Sequence, residues 1–453
     1  MFRYNPAMHI SQAFKLLQQG QVEQAREVCA ALIERDPPSA RTLILMSAIE
    51  QRLGDAQAAS RYLLDAAELQ ATDTPAQLSI IQALRTIGAL EAASRLLQGL
   101  DSNLPEVAIS QAQTEWQNGQ YEQALAGFEA AAKRWPQQPE TSFALCRALL
   151  RLAEPARAEA VLVQAAERWP DSSEIHRLWA VLELDRGDLT AALQHLHGKL
   201  DAEPEHSKAQ KMLSALRMIT GQSNQAISPG NGFGAPVFAT DDFPVNDFPT
   251  NDFMARSFAW VRGQARQIAW FGTNSGLLNW ACGQIPGGFP PQGPVVECGV
   301  YHGFSLRLLS DRIRRPIHGF DSFQGLPESW KPGEPAGSYS TQGRLPAIAA
   351  HVQLHPGWFE QTLPDFAAQP GDPIALLHID CDLYSSTRTV LTQLGPRLAP
   401  GSLLVFDDFL SYEGYEQHEF RAAHEYFAAS TQRFELVAAV LLGRAVAYRL
   451  VSP

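Results

Sequence analysis

At 453 residues and 45% hydrophobic content, the chain can bury two or three separate cores. A formal net charge of -12 and a pI near 5.5 argue against nucleic acid or an anionic membrane as the main partner. Five cysteines (Cys29, Cys146, Cys282, Cys298, Cys381) form no C-x-x-C pair, so reduced thiols of a cytoplasmic protein are expected rather than a disulfide or zinc framework. The opening MFRYNPAMHISQAF has no basic region followed by an apolar stretch, and no apolar run approaches ~18 residues; neither a signal peptide nor a membrane span is expected.

The first half of the chain repeats. Gly20, Gly54 and Gly88 are 34 residues apart, Gly119 follows after 31, and Ala153, Gly187 and Gly221 resume the spacing of 34. Five residues after most of these stands a small residue: Ala25, Ala59, Ala124, Ala158, Ala192 and Ala226. Pro136, Pro170 and Pro204 are again 34 apart. A glycine ends the first helix of each unit, the small residue lets the second helix pack closely, and proline stops it. These markers resemble the tetratricopeptide repeat, over roughly residues 8–222 in about six units. The resemblance implies an all-α solenoid (domain 1–222) whose concave face takes a protein partner or pairs two chains, a homodimer included. Trp116, Trp135, Trp169 and Trp179 are expected between helices.

The helical pattern fades after Gly221. Residues 223–253 are rich in Pro, Gly, Asn and Asp, with Phe243, Phe248 and Phe253 recurring every five residues. The segment reads as a linker or as a lid over the next domain. A helical pattern resumes from Met254 to about Cys282, and Pro286 to Gly293 form a turn-rich lead into the first strand.

Residues 294–328 organise the second half, 254–453. The apolar Val295 and Val296 end in Glu297-Cys298-Gly299, then Gly303, then a helical pattern from Phe304; a second apolar run, Ile317 to Phe320, ends in Asp321. Strand, glycine turn, helix, strand and acid make a βαβ unit with its ligand site at the carboxyl ends of the strands. The spacing is Glu297-x-Gly299-x-x-x-Gly303, with Tyr301 where a dinucleotide motif has its middle glycine, so a pyrophosphate would lose its close backbone approach. This form resembles the first motif of class I S-adenosylmethionine-dependent methyltransferases, whose cofactor carries no phosphate.

After Asp321 the polar stretch 329–345 reads as a flap and His351 to Leu354 as a strand. Ile374 to Ile379 is a buried strand ending in Asp380-Cys381-Asp382; Ser385 and Ser386 are expected to cap a helix to about Leu398. Leu403 to Phe406 ends in Asp407-Asp408, and Phe434 to Val440 with Ala445 to Val451 reads as a closing antiparallel hairpin. Alternating strands and helices give a Rossmann-like α/β domain with a mostly parallel sheet. Glu297, Asp321, Asp380, Asp382, Asp407 and Asp408 then gather at one rim, where mutual repulsion calls for a cation. Asp380, Asp407 and Asp408 offer the all-oxygen ligand set suited to Mg²⁺, which can hold a substrate hydroxyl and lower its pKa.

Together ECGVYHGFS, GFDSFQGLP, GWFEQTLP, LLHIDCDLYSST and PGSLLVFDDF resemble the macrocin O-methyltransferase family over roughly residues 255–453. That resemblance implies an S-adenosylmethionine- and Mg²⁺-dependent O-methyltransferase acting on a hydroxyl of a sugar, glycan or glycosylated small molecule. Glu297, Gly299 and Gly303 would line the methionine end of the cofactor, whose site also takes in Tyr301 and Ser305. Asp321 would hold the ribose, Ser322 and Phe323 would lie near the adenine, Trp358 would complete the cofactor site, and Asp380, Asp407 and Asp408 would ligate the metal. The general base is Asp382 or His418, while His378 reads as a core histidine. A phenolic acceptor and a catalytically degenerate scaffold remain the other two readings.

Overall fold

A computed structural model describes residues 10–70, 72–197, 207–220, 253–264, 268–285, 292–331 and 333–452. The linker-or-lid reading of 223–253 lies outside them apart from Phe253, as do the repeat markers Pro204, Gly221 and Ala226.

From Ile10–Gln18 to Ser207–Thr220 the described residues of the first half form helices in antiparallel pairs. Gly20, Gly54, Gly88, Gly119 and Gly187 all take positive φ, which lets the chain reverse after the first helix of a pair. Ala153 stands in the same place with φ 52°, so the turn survives where glycine is lacking. The periodic Ala25, Ala59, Ala124, Ala158 and Ala192 are fully buried, as close helix approach requires.

The described residues fall into two compact units. One gathers the repeats up to Thr141 with Gln324–Gln342; in it, the side chain of Gln51 lies against Gly333. The other joins Ser142–Phe323 to the chain from Gly343 onward, so the later repeats share a unit with the sheet. Within that second unit the helix Ser173–Asp185 packs on the sheet. A Cβ on Gly272 would sit 2.7 Å from the Val181 carbonyl oxygen, and one on Gly276 would strike the Asp185 carboxylate. That carboxylate accepts N–H bonds from Gly272 (2.8 Å) and Thr273 (3.0 Å) and the Thr273 hydroxyl (2.8 Å). Arg312 donates to the Ala153 carbonyl at 2.9 Å.

Among the described residues the sheet has eight strands: β1 Ala269–Phe271, β2 Val295–Cys298, β3 Ile317–Asp321, β4 Val352–Pro356, β5 Ile374–Ile379, β6 Leu398–Phe406, β7 Arg433–Val440 and β8 Val446–Val451. Their order is β1-β7-β8-β6-β5-β2-β3-β4. Only β8 runs against the rest, paired antiparallel to β6 and β7. β2 and β5 are buried along their whole length, as expected of central parallel strands covered on both faces. The fold is therefore an all-α repeat region followed by a Rossmann-like α/β domain.

Two local expectations need correction. The stretch Met254–Cys282 is not one helical run: helices Phe253–Gln264 and Asn274–Gln284 flank β1, which pairs parallel to β7. Ser385 and Ser386 do not cap their helix; it starts at Tyr384, with Leu383 as the capping residue and no side-chain bond, and ends at Leu394.

Candidate functional site

The order of strands reverses between β2 and β5, where chain leaving β2 goes to one side and returns on the other. A ligand crevice belongs at the carboxyl ends there. Gly299 follows β2 with φ 94°, and a Cβ on it would run into the Asp380 carbonyl just past β5. No other residue fits. Tyr301 takes φ 50° and Gly303 φ 74°, which swings the chain into the helix Phe304–Arg312.

Asp321, at the tip of β3, ties this turn down. Its Oδ2 accepts the N–H groups of Val300 (2.7 Å) and Tyr301 (2.8 Å), and its Oδ1 accepts that of Phe323 (2.7 Å). A carboxylate has about four lone-pair sites, so one remains for a ligand hydroxyl. Phe323 is buried with φ 55°, Ser322 lies between it and Asp321, and Trp358 is the capping residue before the helix Phe359–Ala368, next to Gly357, whose N–H bonds the Asp321 carbonyl.

Glu297 is wholly buried in β2. Its Oε1 accepts the Ser305 hydroxyl and lies 3.0 Å from His378 Nδ1, while its Oε2 has no partner. His378 stands directly across the ladder from Glu297, with its Nε2 3.8 Å from Asp407 Oδ1. Burial disfavours a cation here, but the carboxylates of Asp407 and Glu297 outweigh it and hold the imidazole well above its ordinary pKa. His378 is thus the satisfied core histidine expected, its Nδ1 paired with Glu297 and its Nε2 facing Asp407 without a hydrogen bond. Its spacing of two from Asp380 puts both on one face of β5, a signal already in the sequence.

The acids past β5 and β6 converge. Asp380, Asp382 and Asp408 each offer an oxygen within 4.8 Å of the others. Asp407 is not in that trio; its carboxylate faces His378. Burial first, then repulsion from neighbouring carboxylates, raises the pKa of Asp380, Asp382 and Asp408. Arg444 offsets this at Asp408, with Nη1 2.6 Å from Oδ1 and its guanidinium over the Tyr412 ring at 5.1 Å. Asp382 has φ 65°, rare for a side-chain-bearing residue and typical of active sites.

His418 caps the helix Glu419–Ala429, its ring 5.8 Å from that of Tyr412. The next residue, Glu419, is completely buried and accepts N–H bonds from Cys381, Asp382 and Asp408. Glu419 and Arg444 carry no motif spacing, so nothing local in the sequence marks them.

Comparison with known proteins agrees with this geometry. Residues 296–409 match a family model described as a methyltransferase domain, and residues 115–182 match one described as a tetratricopeptide repeat. The chain carries both. Among curated relatives, it is 32% identical over 159 residues to mycinamicin III 3''-O-methyltransferase of Micromonospora griseorubida, covering 29% of this chain and 61% of that protein. It is 30% identical over 142 residues to demethyldecarbamoylnovobiocin O-methyltransferase of Streptomyces niveus (26% of this chain, 53% of that one). A tetracenomycin rhamnosyl 4'-O-methyltransferase of Streptomyces olivaceus is 32% identical over 145 residues, again 26% and 53%. The matched region thus spans 53–61% of the length of these relatives.

Proposed function

We propose that the chain is an S-adenosylmethionine- and divalent-cation-dependent O-methyltransferase whose acceptor is a hydroxyl of a sugar or glycosylated small molecule, in the manner of the macrocin O-methyltransferase family. The observation that carries this reading is the convergence of Asp380, Asp382 and Asp408 beside the glycine turn at the β2–β5 switch point. Three carboxylates with adjacent oxygens and raised pKa values suit a hard cation such as Mg²⁺. The unpartnered, buried Glu297 Oε2 suits the ammonium end of the methyl donor, and the free lone pair on Asp321 suits its ribose. The rhamnosyl group in the name of the tetracenomycin relative guides the choice of substrate class.

In this reading Asp380, Asp382 and Asp408 would hold the metal, with the expected Asp407 turned to His378 instead, and the metal when bound would supply Lewis acidity at the acceptor oxygen. Gly299, Tyr301, Gly303 and Ser305 shape the donor cradle, while Asp321 locks the turn. Ser322, Phe323 and Trp358 flank the ribose and adenine. The second oxygen of Asp382 accepts the hydroxyl proton; His418 is the alternative base. Holding donor and acceptor in line contributes much of the rate.

We assign residues 1–222 to partner binding or self-association and 254–453 to catalysis, in a cytoplasmic protein. No described helix is long and apolar enough to cross a membrane. A groove of about 340 Å³ in the repeats, lined by Gln111, Glu115, Gln123, Arg134 and Trp135, is a place for a partner segment. Light scattering on the full chain separates self-association from a monomer awaiting another protein.

Calorimetry with S-adenosylmethionine tests the reading directly, since a chain that ignores it at millimolar concentration is a scaffold and not this enzyme. The Asp380→Asn variant is expected to bind the donor within twofold of wild type yet lose at least about 10³-fold in turnover on a glycoside acceptor. Undiminished turnover in EDTA would remove the cation from the mechanism.

A further inference from the structure

Glu419 is a buried acid that neither the donor cradle nor the carboxylate trio uses. It is the first residue of the helix Glu419–Ala429, where the helix N-terminus favours a negative side chain. Its Oε1 accepts the successive N–H groups of Cys381 and Asp382, each at 3.3 Å, and its Oε2 accepts that of Asp408 at 3.2 Å. One carboxylate therefore spans the two loops that carry the trio.

The first of those loops needs holding. Asp382 has φ 65°, and the Leu383 N–H bonds the Cys381 carbonyl at 2.6 Å, closing a three-residue turn of the strained kind. Such a turn points consecutive N–H groups toward one anion. Buried without an acceptor, they would be costly, and the loop would relax to a conformation that aims Asp382 elsewhere.

We propose that Glu419 is a positioning residue: its carboxylate clamps the backbone of Cys381, Asp382 and Asp408, and so holds Asp380, Asp382 and Asp408 in register for a cation. The inference rests on the cation reading given above but concerns the loops themselves. Glutamine cannot replace it, because its amide nitrogen would face a backbone N–H on one side of the clamp.

The test uses the full chain with Mn²⁺ as the metal probe, followed by paramagnetic resonance, and amide hydrogen exchange over 380–383 and 407–409. In Glu419→Gln the Mn²⁺ dissociation constant is expected to rise at least about tenfold, as an outer-shell partner should, with exchange in both loops accelerated and S-adenosylhomocysteine affinity within twofold of wild type. Wild-type exchange and wild-type Mn²⁺ affinity in that variant would overturn the proposal. If Glu419→Gln does not fold, Glu419→Asp, which keeps the charge but is one methylene short, is judged by the same two readouts. Should wild-type protein take up no Mn²⁺ while the variant's loops exchange faster, the clamp stands and the cation reading fails.

Discussion

At Gly299 backbone and packing leave one choice of residue. A side chain there must both adopt φ 94° and displace the Asp380 carbonyl. Gly299→Ala is expected to destabilise the chain by about 3 kcal/mol or more, read as a lowered urea midpoint with unchanged slope. The glycine turn was legible because its spacing is local, and so was the family of acids, because each closes an apolar run. Which oxygens meet was not. Asp382 reaches Asp380 and Asp408 through a left-handed turn with no signature in the sequence, while Asp407 turns toward His378. Glu419 was invisible for a related reason: its partners are backbone groups, which every residue has.

At the scale of elements, the helix Ser173–Asp185 meets the start of the helix Asn274–Gln284 through one carboxylate. Burial outweighs the Thr273 and Gly272 donors and pushes the Asp185 pKa up to about 6 from 3.8. An acid with a raised folded pKa favours the native state when protonated. Its contribution is complete below about 3.8 and lost as pH rises through about 6. The stability of wild type relative to Asp185→Asn should therefore fall by on the order of 2 kcal/mol between pH 4 and pH 6.5, measured by denaturant melts across that range. A flat difference would mean that the carboxyl titrates alike in the folded and unfolded chain. The three-residue strand β1 was not legible beforehand: period-two alternation needs more residues, and its partner β7 lies more than 160 positions away. Longer elements were read well, since β5 and the β7–β8 hairpin carry enough residues to show their pattern.

At the scale of the molecule, the repeats do not form one block. Those before Thr141 group with Gln324–Gln342, whereas the later ones share a unit with the sheet. Two shortened chains are expected to differ accordingly. One beginning at Gln137 keeps Val181, Asp185 and the Ala153 carbonyl against the domain; one beginning at Phe253 loses them all. The second should melt at least about 5 °C below the first by calorimetry, since each kcal/mol shifts a domain of this size by about 2–4 °C. Equal melting temperatures would make the later repeats dispensable to the sheet. This division was beyond sequence reading because the period of 34 runs through Thr141 without a break.

The left-handed backbone at Asp382 also sets which genetic variants this position can bear. Glycine and asparagine tolerate such φ values, whereas valine or isoleucine would not. A library randomised at codon 382 and sorted for soluble expression should return Gly, Asn and Asp together. Selected instead for product, the same library should return the aspartate alone, so the gap between the two spectra separates what the turn demands from what the chemistry demands.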